Sequence, residues 1–138
     1  MTNIFLLCVI AISLAGCITT SDTVESVQKR YEQVKINDGI SDKEALIWAQ
    51  NELLKNPLNT SYQLFKPQLD TDLKMPDSYK YIFVRFMPNE NQTALAGKVF
   101  LVVINPYLKR IEFADEFQPP GGDPLYKYNE LLKQIEHR

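Results

Sequence analysis

Two stretches decide the fold: Tyr79–Met87, YKYIFVRFM, and Gly97–Ile104, GKVFLVVI. Both are rich in aromatic and β-branched residues, and neither contains proline, so both read as strands. In the first, Ile82, Val84 and Phe86 share one face, while Tyr81, Phe83 and Arg85 share the other. Apolar side chains on both faces predict an interior strand, or one whose second face meets a helix or a partner. Pro88–Gln92 is a polar connection between the two. Asn105-Pro106-Tyr107-Leu108 reads as a turn, and Arg110–Phe113 as a third strand. Upstream, Tyr62-Gln63-Leu64-Phe65 reads as a short strand stopped by Pro67, and Asp70–Pro76 as a loop. Three or four strands with short links predict an antiparallel meander.

Helical signals flank this block. Asp22, followed by Glu25, reads as a helix start, and Val24, Val27, Tyr31 and Val34 recur on one helical stripe. Ser41-Asp42-Lys43-Glu44 is a capping box, in which Ser41 accepts from the Glu44 N–H and Glu44 reaches back. Ala45, Trp48, Ala49 and Leu53 form the core face of that helix, and Asn56-Pro57 ends it. After Pro119-Pro120-Gly121-Gly122, Asp123 with Pro124 opens a last helix carrying the stripe Leu125, Tyr128, Leu131, Leu132 and Ile135. Lys127, Glu130, Lys133 and Glu136 are placed toward water. The expected architecture is α+β: two N-terminal helices, an antiparallel meander of three to four strands and a C-terminal helix, with the helices packed on one sheet face.

The N-terminus differs in kind from the rest. Twelve of the first sixteen residues are apolar and none is charged, whereas the remainder carries every charged side chain of the chain, for a net charge of −2. Ile4–Leu14 is too short, at about 1.5 Å per residue, for the roughly 30 Å core of a bilayer, and reads as the apolar region of a secretory signal. It runs into Leu14-Ala15-Gly16-Cys17. This resembles the lipobox of bacterial lipoproteins: Leu, a small residue, Gly or Ala, then Cys. The resemblance implies a signal peptide over residues 1–16, cleavage before Cys17, acyl chains on Cys17, a lipidated tether over 17–23 and a single domain over 24–138. Ile18, rather than Asp, follows the cysteine, which by the same resemblance implies the outer membrane, facing the periplasm. Met1-Thr2-Asn3 departs from the pattern in lacking Lys or Arg. Cys8 is lost with the signal, so the mature fold rests on its core without a disulfide.

Within the domain, Ile40-Ser41-Asp42-Lys43-Glu44-Ala45 and Val102-Val103-Ile104-Asn105-Pro106 resemble the helix start and strand-end turn of small PepSY-like envelope domains. The pattern is also similar to NTF2-like immunity proteins. The resemblance implies a binding or inhibitory module.

The chemical inventory points the same way. The only histidine, His137, is next to last, where a chain end frays, and no cysteine–histidine spacing resembles a zinc site. No phosphate-cradling motif is present, and no cofactor or metal is expected. Basic and acidic residues are interspersed, which disfavours nucleic acid as a partner. Asp70, Asp72 and Asp77 lie together around Met75-Pro76. A carboxylate-dependent envelope hydrolase is the alternative they support, if two of them converge in a cleft. The aromatics offer a surface instead: Tyr79, Tyr81 and Phe83 alternate on one strand face, followed by Arg85. If the helices take the opposite face, this row is open to a protein or an envelope polymer. The expectation is a membrane-anchored envelope lipoprotein with a non-enzymatic binding or accessory domain, an immunity or inhibitor role being a further alternative.

Overall fold

The computed structural model of the protein describes residues 22–35, 37–71, 73–75 and 80–138. Cys17, Asp72, Asp77 and Tyr79 lie outside the described residues. Two helices, α1 (Val24–Glu32) and α2 (Asp42–Lys55), precede four strands: β1 (Gln68–Leu69), β2 (Ile82–Phe86), β3 (Val99–Asn105) and β4 (Arg110–Phe117). Helix α3 (Asn129–Glu136) closes the chain. The strands pair in chain order, every pair antiparallel, so the sheet is the meander that the sequence predicts.

Local chemistry sets the element boundaries. The Ser41 box forms as read: Ser41 Oγ accepts from the Glu44 N–H at 3.2 Å, and Glu44 Oε1 accepts from the Ser41 N–H at 3.2 Å. At α1 the cap is Thr23 rather than Asp22, because Thr23 and Ser26 exchange the reciprocal pair of bonds. The stretch Tyr62–Phe65 makes only a single bridge, Tyr62 to Pro88, and the short edge strand falls at Gln68–Leu69 instead, just past Pro67. Asp123 caps a 3₁₀ turn over Pro124–Tyr126, so the last α-helix begins five residues later than Pro124 suggests.

The layering departs from the sequence expectation. Val84, Phe86, Phe100, Val102 and Ile104 meet Ala45, Trp48, Ala49 and Leu53 of α2, and the two alanines let the helix lie close on the sheet. Phe83, Val99, Leu101 and Val103 form a second core with Tyr128, Leu131, Leu132 and Ile135 of the C-terminal segment. The helices therefore lie on both faces, not one. The reason is visible in β3, which is buried at all seven positions. A strand apolar on both sides has to be covered on both.

Register also gives the molecule two distinct ends. Ile82 stands opposite Ile104, and Phe86 opposite Phe100. One end carries the β3–β4 turn, and the other the segment that follows β2. At the turn end the pairing slips between Val103 and Ile104, leaving Glu112 as an extra residue in β4. The buried Glu112 carboxylate accepts from Arg110 Nε at 2.7 Å and from Asn105 Nδ2 at 3.1 Å. Asn105 Oδ1 in turn accepts from the backbone N–H groups of Tyr107 and Leu108. Lys109 completes the turn with φ +52°. This turn holds out Tyr107, 68% exposed, and Leu108, 59% exposed. Lys109 Nζ donates to the Asn37 carbonyl, which places the α1–α2 link at the same end.

Candidate functional site

The strand row Tyr81, Phe83 and Arg85 is not an open face. Phe83 is buried and stacks on Tyr128, with ring centroids 4.7 Å apart and planes 10° from parallel. Tyr81 is half-buried against the same core. Arg85 is half-buried and turned to Gln68 Oε1 at 3.2 Å and toward Asp70. Of the surface expected there, Phe83 is withdrawn, because the C-terminal helix packs over it on the second face, while Tyr79 lies outside the described residues.

Beneath that helix lies a cluster of charge. Backbone pairing continues one residue past β1, with the Asp70 N–H donating to the Phe83 carbonyl at 2.9 Å, which puts Asp70 on the α3 side of the sheet. Asp70 Oδ2 accepts from Tyr128 Oη and from Lys127 Nζ, the latter at 2.6 Å, and Arg85 Nη1 stands 3.7 Å away. The Asp70 side chain is 9% exposed and that of Lys127 13%. Lys127 Nζ also lies 5.1 Å from the centre of the Tyr128 ring, a cation–π distance. Burial pushes the Tyr128 phenol well above its ordinary pKa of 10.0, and the Asp70 carboxylate that accepts its proton adds to the rise. A carboxylate so engaged is committed to holding the C-terminal segment. A smaller cleft of about 260 Å³, lined by Asp70, Leu73, Met75, Tyr81 and Phe83, opens beside it. Among the described residues no three His, Cys, Asp or Glu side chains come together as a metal site, and no helix is long and apolar enough to cross a membrane.

The larger concavity is elsewhere. A groove of about 720 Å³ runs between the Asn59–Lys66 segment and Asn89–Asn91, with Val24 at its rim. The two segments are tied by the Tyr62–Pro88 bridge and by the Gln63 N–H donating to the Met87 carbonyl at 2.9 Å. Tyr62 is buried at its base, and its hydroxyl donates to Glu116 Oε2 at 2.5 Å. Burial raises the Tyr62 phenol pKa, and the neighbouring carboxylate raises it further. Leu64 is buried, whereas Phe65 stands 38% exposed.

Sequence reading did not find this groove. Its walls are irregular, so no periodicity marks them. The one local signal was the density of Asn, Gln and Thr around Tyr62 and Phe65. The groove sits at the end of the sheet opposite Tyr107 and Leu108, beside Val24 at the start of α1. No family model, no curated protein and no solved structure matches the chain.

Proposed function

We propose that the chain is a membrane-anchored envelope lipoprotein whose folded domain binds rather than catalyses, held by acyl chains on Cys17 in the outer membrane and facing the periplasm. The signal-like run ending in Leu14-Ala15-Gly16-Cys17 supports the anchor. One buried acyl chain, at about 0.8 kcal/mol per methylene, holds a protein only marginally, and two or three hold it durably. The observation that carries the binding role is the groove, bounded by apolar and carboxamide side chains, the groups that recognise by contact and hydrogen bond. Ile18–Thr23 spans at most about 20 Å, so the groove works close to the bilayer surface.

Fractionation tests the anchor. Cys17→Ala is expected to leave an unprocessed chain that is no longer retained by acyl chains, whereas processing and membrane retention identical to wild type would refute the assignment. A photo-crosslinking residue at Asn91 tests the groove in intact cells. A saturable adduct there, missing when the same residue replaces the exposed Lys133, is the expected result.

A further inference from the structure

We infer that the groove is a carbohydrate site, built for a neutral, N-acetylated glycan chain. The inference rests on the binding role proposed above and names its ligand class. Of the four carboxamides that line the groove, three have their orientation fixed. Asn59 Nδ2 donates to the Leu54 and Asn56 carbonyls at 3.1 and 2.9 Å. Gln63 Nε2 donates to the Pro88 carbonyl at 2.9 Å, and Asn89 Nδ2 to the Thr60 carbonyl at 2.6 Å. A main-chain carbonyl only accepts, so each amide must present its NH₂ inward. The amide oxygens of all three take no hydrogen bond among the described residues, which leaves a row of acceptors on residues that line the groove, and Gln63 and Asn89 each keep one N–H as well.

A ligand for such a row has to bring donors. Sugar hydroxyls and the N–H of an N-acetyl group are donors, and a carboxylate or phosphate is not. The formal charges of the lining, Lys66 and Glu90, cancel, which removes any pull on an ion. The apolar part of the lining suits the rest of a sugar. Phe65, exposed at the surface of the groove, offers a flat ring to the C–H face of a pyranose, and Leu64 and Val24 offer contact for an acetyl methyl group. A volume of about 720 Å³ lies within the range of small-ligand pockets and accommodates a short oligosaccharide.

The test is calorimetric titration of the detergent-solubilised full chain with chitotriose, with a neutral tripeptide as the comparison ligand. Chitotriose is expected to bind saturably at one site, and the tripeptide not at all. Phe65→Ala should weaken the sugar about tenfold. Asn91→Ala, at an exposed position on the rim, should weaken it less. Thermal unfolding by circular dichroism should show both variants as stable as wild type, since neither side chain is buried. Absence of chitotriose binding at millimolar concentration, or equal affinity in Phe65→Ala, overturns the assignment, as does preferential binding of the tripeptide. If the Asn91 adduct forms in cells while chitotriose fails to bind, the groove still binds and only its ligand class is wrong.

Discussion

The replacement of Asp70 by Asn puts a magnitude on the buried cluster. Asn is nearly isosteric and can still accept the Tyr128 hydroxyl through its amide oxygen. What it removes is the charge that Lys127 Nζ faces at 2.6 Å with only 13% of the lysine side chain exposed. Breaking a buried pair from one side typically costs about 3–5 kcal/mol, because the surviving charge stays in a poorly solvated place. Lys127 keeps a narrow path to water, so the low end, about 3 kcal/mol, is expected. Arg85 adds little: it is about one-third exposed, 3.7 Å away, and solvent screens it. Urea unfolding of the full chain measures the loss. With an m-value of about 1.5 kcal/mol per molar, the midpoint falls by about 2 M in Asp70→Asn. The double variant Asp70→Asn/Lys127→Met separates charge from packing. Removing both charges leaves nothing stranded, so it should recover to within about 1 kcal/mol of wild type and stand about 2 kcal/mol above Asp70→Asn alone. A midpoint shift below about 0.5 M in Asp70→Asn, or additive losses in the double variant, would show that the cluster does not hold the C-terminal segment.

Two further outcomes are expected. Tyr62 and Tyr128 have phenol pKa values raised above the ordinary 10.0, so the folded state favours their neutral forms, and the stability they confer is complete below that value and lost as pH rises beyond it. Tyrosinate absorbance should therefore show two of the seven tyrosines ionising only with alkaline unfolding; a titration that is complete before unfolding would count against the buried phenols. Ser41→Ala should cost about 1 kcal/mol through the lost cap on α2. The bonds from Ser41 lower the Glu44 carboxyl pKa, so Glu44's share of the box is present above the ordinary carboxyl range and lost in acid. The gap between wild type and Ser41→Ala in urea midpoint should narrow as pH falls, and a gap that widens would contradict the assignment.

Much of the fold was legible because its signals are local. The Ser41–Glu44 box, the alternation of β2 and the stripe Tyr128, Leu131, Leu132 and Ile135 each lie within a few residues and reappear in place. The number of sheet faces covered is a global property, yet the sequence held the deciding signal. Val99–Ile104 is apolar at six consecutive positions, and such a strand leaves no face for water. Weighing that run above the Tyr–Phe–Arg row of β2 places α3 on the second face and withdraws Phe83 from any surface.

The two sites were hidden for different reasons. Asp70 and Lys127 stand fifty-seven residues apart, and nothing in either neighbourhood foretells the pair. Lys127 even falls where the helical pattern assigns water, because the helix begins at Asn129 and the residue before Tyr128 belongs to a turn that faces inward. The groove depends on a single bridge between Tyr62 and Pro88, which joins two irregular segments and turns their amides toward main-chain carbonyls. Irregular backbone needs side chains to satisfy its polar groups, since no ladder does so. The Asn and Gln residues that close the loops are therefore the same ones that line the groove. The bonds that hold the loops also fix these amides: each turns an N–H to a main-chain carbonyl and leaves its oxygen unpaired.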